Sequence, residues 1–466
     1  MNKLILSILP LTLLACRPVG PTYTPEPQRL PDTFSAPGGA AVLGSRWWEA
    51  LSDPQLNGLI EQALTHSPDL RIAEARMRQS RALLGVQEAT EGPQLGVGAL
   101  VSKDRLSPNS ELMANLPFKN VNTEFTNHQI AFDASWELDL FGHTRRQVEA
   151  AGARAEASAE RLRDAGLVLS AEVARTYIEY RTSQRRLALA QQTLNTHEET
   201  VRLVALQVQA GESTELEAQR AMTNRRFQRA SLDDIHIALR QSLSALSSLT
   251  DLTTSELETR LGEGSPLLAV PKAPPAGLPS DLLKRRPDLR AAERDLAAAN
   301  ADVGAAVADQ YPRFTLVGTG GWTSIQSGNL LDSASRMWSV GPQVHLPIFQ
   351  SGRLRSQVKA NEAAYEASSA TYRKAVLSAV ADVDLALTRL ARSEERRQQL
   401  QAAAAHQEKL VALTELQLKA GEVSKVPLLE SQRSLLGQED QALQAHSQSL
   451  TALVSLCKSL GGGWVP

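Results

Sequence analysis

One helical unit is written into this chain twice. Gln207-Val208-Gln209-Ala210-Gly211-Glu212 returns as Gln417-Leu418-Lys419-Ala420-Gly421-Glu422, each copy within a long tract that lacks proline. Other landmarks recur at similar spacing: Pro68-Asp69-Leu70-Arg71 with Pro287-Asp288-Leu289-Arg290, Glu156-Ala157-Ser158 with Glu366-Ala367-Ser368, and Glu217 with Gln219-Arg220 against Glu430 with Gln432-Arg433. Gly211 and Gly421 stand 210 residues apart and Asp69 and Asp288 stand 219 apart, a drift that loop insertions and deletions produce. A period this long exceeds any solenoid repeat and fits an old duplication that left two equivalent halves.

No proline falls between Pro117 and Pro266 or between Pro347 and Pro427, so helices can run there without interruption. From about Gly142 to Gln209 and from about Gly352 to Lys419, Ala, Leu and Val recur at three- and four-residue spacing with Gln, Arg and Glu between them. Leu194, Val201, Val204 and Val208 mark the stripe of the first tract. Roughly 65 residues at about 1.5 Å each make a rod of about 100 Å. Aromatic content is only 4 %, which belongs to long helices rather than to a thick core, and narrow apolar stripes demand neighbouring helices along the rod. Gly211 and Gly421 are natural left-handed helix terminators, and second helices follow from Leu216 to about Leu249 and from Pro427 to about Leu460. Asp53-Pro54 reads as an N-cap with proline at the first helical position, opening a helix to about Glu88, and Ser280 reads as the cap of a helix to about Asp309.

Strands are expected between these helices. Ile130, Phe132, Ala134, Trp136, Leu138 and Leu140 alternate with Gln129, Ala131, Asp133, Ser135, Glu137 and Asp139, a period of two long enough for a tilted strand to cross an outer membrane. In the second half Trp338, Val340, Val344, Leu346 and Ile348 alternate with Ser339, Gly341, Gln343 and His345. Weaker partner strands precede them at Gln94 to about Lys103 and at Arg313 to about Trp322, so each half supplies one hairpin. The smallest transmembrane barrels have about eight strands and lipid does not tolerate open edges, so several chains must pool their strands, whether two or three.

Met1-Asn2-Lys3, the apolar run Leu4 to Leu14, and Leu13-Leu14-Ala15-Cys16 have the form of a removable secretory signal with a lipobox, after which Cys16 is the acylated first residue. Cys457 is the other cysteine and reads as a buried small apolar side chain in the last helix. A net charge of −2 gives no electrostatic footprint for nucleic acid.

Trp48-Glu49-Ala50-Leu51-Ser52-Asp53-Pro54-Gln55-Leu56, the stretch from Gly277 to Arg290, the lipobox and the two Ala-Gly-Glu hairpins resemble the outer membrane factors, in particular the NodT-like lipoprotein branch of the TolC family that serves resistance-nodulation-division efflux systems. The resemblance covers essentially the whole mature chain. It implies a mainly α fold with a transmembrane β part, a homotrimeric α/β-barrel made of two repeats, each with one hairpin and long antiparallel helices. Three chains are thereby selected over two. It also implies a passive exit duct without cofactors, placed in outer-membrane lipid, whose partners are a periplasmic adaptor and an inner-membrane pump. Adaptor contact falls on the tips Ala210-Gly211-Glu212 and Ala420-Gly421-Glu422. Relatives narrow their closed end with two aspartates; here Pro427 and Glu430 hold those places, leaving Glu430 alone for a periplasmic gate of three carboxylates. Asp133, Glu137 and Asp139 then face the barrel lumen, while Trp136 and Trp338 face lipid or its interface.

The resulting organisation is a signal peptide (1–15), a lipid-anchored segment (16–50), a first repeat (51–260), a linker (261–279), a second repeat (280–460) and a tail (461–466). Eight scattered histidines, with no metal-binding spacing, no nucleophile elbow and no phosphate loop, speak against an enzyme. The alternative is a lipid-anchored coiled-coil adaptor or scaffold that never crosses a bilayer; it predicts no lipid-facing strands. The cargo is not encoded in any of these features.

Overall fold

The computed structural model describes residues 18–25, 27–34, 46–107, 109–110, 123–262, 268–271 and 277–462; Cys16 and the end of the tail lie outside them. In chain order the elements are α1 (Pro54–His66), α2 (Pro68–Glu88), β1 (Gln94–Arg105), β2 (Glu124–Leu138), α3 (His143–Gln209), α4 (Glu215–Thr250), α5 (Thr254–Leu261), α6 (Leu282–Arg285), α7 (Pro287–Ala308), β3 (Arg313–Ser324), β4 (Arg336–His345), α8 (Arg353–Lys419) and α9 (Lys425–Ser459). Both long helices have 67 residues, within a residue of the tracts read from the sequence.

Asp53 caps α1 as expected, its carboxylate accepting the N–H groups of Gln55 at 2.8 Å and Leu56 at 3.2 Å. The helix does not continue to Glu88, however. It stops at Ser67, whose ψ of 129° is extended, and α2 restarts at Pro68, because proline disfavours a helical conformation in the residue before it. The second half breaks in the same way at Arg286, before Pro287. Ser280 is not a helix cap but the middle of a short 3₁₀ turn, Pro279–Asp281, in which Asp281 accepts the N–H of Leu278 at 3.1 Å.

Contacts divide the chain into two compact units, neither of which is one of the sequence repeats. The first comprises Met1–Glu26, Met77–Ala157 and Ala292–Tyr372; the second comprises Pro27–Arg76, Ser158–Ala291 and Arg373–Pro466. Each draws on both halves of the duplication.

In the first unit the four strands form one antiparallel sheet in the order β1-β2-β3-β4. The two hairpins are joined by the β2–β3 pairing, in which Phe132 stands opposite Gly320 and Trp136 opposite Leu316. Gly321 is required there, since a Cβ would meet the carbonyl oxygen of Ile130 at 2.1 Å. The strand boundaries differ from the sequence reading: β2 ends at Leu138 and β4 at His345, so Asp139, Leu140, Leu346 and Ile348 lie beyond the sheet. Beneath β2, α7 packs on α3 through Ala297, Ala298 and Ala153 and through the ion pairs Arg154–Asp302 and Arg294–Glu156.

The second unit buries Leu56, Leu59, Ile60 and Ala63 of α1, Leu243 and Leu246 of α4, and Leu257 and Leu261 of α5. Arg181 of α3 is buried with them and fully engaged: it donates to the Tyr177 hydroxyl at 3.1 Å and to the Leu261 carbonyl at 2.9 Å. Tyr177 in turn donates to Asp53 at 2.7 Å. A buried guanidinium persists only when its donors are satisfied in this way. Cys457 is buried on α9, as expected, and burial pushes its thiol up to about 12.

Candidate functional site

Both hairpin tips are built by the same local chemistry. α3 and α8 end in glycines with φ of 76° (Gly211) and 75° (Gly421), a conformation that costs a Cβ-bearing residue about 1 kcal/mol or more. Glu212 then donates its N–H to Gln207 at 2.8 Å and Glu422 donates to Gln417 at 2.9 Å, closing identical Schellman turns over the orphan carbonyls. Thr214 caps α4 by accepting the N–H of Glu217, and Ser424 occupies the matching position before α9. Ala210, Gly211, Glu212, Ala420, Gly421 and Glu422 are all exposed.

The shared geometry corrects one landmark. Since Thr214 matches Ser424 and Glu215 matches Lys425, Glu217 corresponds to Pro427 and Glu430 corresponds to Arg220; the similarity of Glu217-Ala-Gln-Arg to Glu430-Ser-Gln-Arg is displaced by nearly one helical turn. Glu430 stands on the exposed side of α9 with its carboxylate 4.0 Å from Arg433.

The first tip is tied to the second by contacts between α3 and α9. Lys425 Nζ lies 2.8 Å from Glu199, Arg433 donates to the Thr200 hydroxyl at 2.6 Å, and Arg186 pairs with Asp440 at 2.8 Å. Arg202 first, then Lys425, hold the Glu199 carboxyl down to about 2. Burial, with a smaller contribution from the Arg433 charge, lowers the His197 imidazole below its ordinary value. A cavity of about 250 Å³ sits between the helices here, lined by Leu203, Leu206, Ala210, Glu212, Lys425 and Val426. Of the bridging partners, Glu199, Thr200, Arg186, Lys425 and Asp440 were not singled out in the sequence, and Arg433 entered only as a landmark of the repeat. The signal was present at Lys425, a cation at a helix N-terminus, where the peptide dipoles disfavour it unless an acid lies opposite.

The sheet segregates its two faces. One carries the rung Val97, Phe132, Gly320 and Trp338, and also Trp136 with Leu316. Trp338 is 80 % exposed, and Trp136 donates its indole N–H to the Glu91 carbonyl at 2.8 Å. The other carries Asp133 with Thr319 and Ser339, and Glu137 with Thr315 and Gln343; Thr319 donates to Asp133 at 2.8 Å. Asp139 does not join this face. It lies one residue past the strand, accepts the Arg145 N–H at 2.9 Å and pairs with that guanidinium, serving the first turn of α3.

At the same junction His143 lies 3.0 Å from Asp309, which also pairs with Arg313. That hydrogen bond to Asp309 raises the His143 imidazole above its ordinary value against the opposing effect of burial, and the cluster joins the start of α3 to the entry of β3. The N-terminal segment is fastened beside it: Val19 donates to the Phe141 carbonyl at 3.0 Å, Asn300 donates to the Pro21 carbonyl at 3.1 Å, and Tyr23 reaches Glu293 at 3.4 Å. Among the described residues no group of three His, Cys, Asp or Glu side chains could hold a metal ion, and no helix is long and apolar enough to cross a membrane.

A sheet with one apolar and one polar face, continued by paired helical hairpins, defines an outer-membrane channel. The family model of outer membrane efflux proteins matches residues 59–251 and 278–462, one segment in each half, and the chain belongs to that family. It is 32 % identical over 472 residues to outer membrane protein OprJ of Pseudomonas aeruginosa, covering 98 % of this chain and 95 % of that one. It is likewise 32 % identical over 468 residues to the pyoverdine export outer membrane protein OpmQ of Pseudomonas putida, covering 99 % and 98 %. The outer-membrane channel OprN superposes with a TM-score of 0.85 at 31 % identity, covering 96 % of this chain and all of that one. The chain is thus an outer-membrane efflux channel of the TolC type, and the scaffold alternative, which required no membrane strands, is set aside.

Proposed function

We propose that three copies of this chain form the passive exit duct of a tripartite efflux system, in which an inner-membrane resistance-nodulation-division pump supplies the energy and a periplasmic adaptor grips the hairpin tips. One observation carries this reading: a single sheet with Trp136 and Trp338 on one face and Asp133 and Glu137 on the other, whose outer edges, along β1 and β4, are unpaired among the described residues. Lipid does not tolerate such edges, and head-to-tail pairing of β4 with β1 of the next copy removes them all. Three copies contribute twelve strands, above the barrel minimum of about eight. Asp133 and Glu137 then line the lumen, while Trp136 and Trp338 face lipid.

The tips at Ala210-Gly211-Glu212 and Ala420-Gly421-Glu422 are the adaptor contacts, and splaying them opens the duct. Glu430 from each copy narrows the closed end with three carboxylates. Cys16 is the lipid anchor. No covalent chemistry is assigned to the chain. Cargo is selected at the pump, so the pyoverdine in the name of OpmQ is not transferred to this protein.

Purified protein reconstituted in planar bilayers tests the proposal. Trimeric particles that conduct ions are expected; a monomer in detergent and lipid alike, silent under every opening condition, would overturn it.

A further inference from the structure

The end of the sheet farthest from the helices sorts its charges by face. Helices join the sheet at the end marked by Gln94, Leu138, Arg313 and His345, so the end marked by Arg105, Glu124, Ser324 and Arg336 points away from the periplasm. On the face that carries Trp136 and Trp338, β1 runs through Leu95, Val97, Ala99 and Val101 before it reaches Lys103 and Arg105. Read in the same outward direction, β4 runs through Val344, Pro342, Val340 and Trp338 before it reaches Arg336. Lys103 and Arg336 are thus the first polar positions beyond the apolar run of their strands, each about 7 Å further out. Asp104 stands on the opposite face, where Ser102 donates to it at 2.7 Å.

Within the four strands Glu124 is the one carboxylate on this side. It lies 3.5 Å from Arg105, whose side chain is 70 % exposed, a surface pair that is weak. Lys103 and Arg336 are exposed, and among the described residues neither has a carboxylate within ion-pair distance. At the corresponding outer positions β2 and β3 carry His128, Thr126 and Ser324, so the permanent cations are confined to the two edge strands. Charge on a free edge guards it against mispairing. In the ring proposed above those edges are paired, and Arg336 of one copy meets Lys103 and Arg105 of the next at the same end of adjoining strands. Three cations then share one carboxylate at the level where hydrocarbon gives way to headgroups, and the missing countercharge must come from lipid.

We infer that each seam of the ring binds an outer-leaflet glycolipid whose headgroup carries two phosphate groups, with its acyl chains against Val97, Val101 and Trp338. The inference rests on the head-to-tail ring. Guanidinium forks match phosphate oxygens two at a time, and Lys103 adds a point charge. The surplus of two positive charges sets the demand for a headgroup with at least two negative ones, which a zwitterionic lipid does not meet. One chain alone cannot complete the site, because β1 and β4 lie at opposite edges of its sheet.

Full-length protein purified in detergent, mixed with diphosphoryl lipid A and read by native mass spectrometry, tests this. One lipid per seam is expected, held about tenfold more tightly than monophosphoryl lipid A, with phosphatidylcholine not retained. Arg336→Gln and Lys103→Gln each weaken binding about tenfold, the loss of one charge-assisted hydrogen bond, while Lys103→Arg binds as wild type; trimer mass is unchanged in all three. A trimer that retains phosphatidylcholine equally, or whose glutamine variants bind as strongly as wild type, overturns the lipid site, reduces Lys103 and Arg336 to guards of the strand edges and leaves the ring standing. A monomer in detergent overturns the ring and this site with it.

Discussion

Replacing Thr200 by valine removes the acceptor of the Arg433 hydrogen bond while preserving side-chain shape. The contact is short, 2.6 Å, and the Arg433 side chain is only 18 % exposed, so solvent replaces little of what is lost. The Thr200 hydroxyl also donates to the Thr196 carbonyl, but that oxygen belongs to the helix ladder and keeps its backbone partner. Hydrogen bonds to charged groups are worth about 1.5–3 kcal/mol, and the low end, about 1.5 kcal/mol per copy, is the appropriate figure for one bond to a neutral hydroxyl acceptor. At about 1.4 kcal/mol per tenfold, each tip opens roughly ten times more readily, and three tips opening together shift the equilibrium about a thousandfold. Single-channel recording in planar bilayers reads this as open probability. Thr200→Ser keeps the acceptor and is expected to behave as wild type. An unchanged open probability in Thr200→Val, with trimer mass and melting temperature intact, would show that the α3–α9 contact survives opening and would refute the splaying of the tips along that seam.

Gly321→Ala places a methyl 2.1 Å from the Ile130 carbonyl and 2.7 Å from the Ala131 Cα, a backbone clash costing about 1–3 kcal/mol or more, and is expected to lower the temperature at which the trimer dissociates on a gel; an unchanged temperature would contradict the β2–β3 register. His143 has a raised folded value, so its pair with Asp309 stabilises the protein below the ordinary imidazole value and that stabilisation is lost as pH rises through the folded one; the melting temperature falls as pH is raised above the ordinary imidazole value, and His143→Gln flattens the profile. Asp133→Asn with Glu137→Gln removes two carboxylates per copy from the polar face and is expected to move the reversal potential in a salt gradient toward zero; no movement would place that face away from the lumen.

Much of this protein was legible in one dimension. The ends of α3 and α8 fell where Gly211 and Gly421 put them, since a left-handed residue is a local demand that glycine meets alone. The polar and apolar faces of β2 followed from a period of two, which the pleat converts directly into sides of a sheet. Family membership lay in the hairpins and in the Gly277–Arg290 stretch, and the comparison with known channels bears it out. The breaks at Ser67 and Arg286 were also written locally, in Pro68 and Pro287, although proline at a first helical turn reads equally as a beginning or as a continuation.

Other features were decided only in three dimensions. Asp139 looked like one more lumen residue because alternation continues past the strand; whether an acid lines a sheet or serves the next helix depends on where the ladder stops, and here Asp139 leaves it for the Arg145 N–H although β3 still offers Arg313 opposite. The pairing of β2 with β3, and of Glu199 with Lys425 and Arg433 with Thr200, joins residues separated by nearly half the chain. Periodicity reports which side of an element is apolar, but an ion pair requires a particular neighbour at a particular height along the helix. Thus the sequence alone determined the repeats, the turns and the faces, through interactions that span a few residues, while the tertiary structure decided which faces meet and which charges are engaged, because those energies exist only once distant segments are brought within hydrogen-bonding reach.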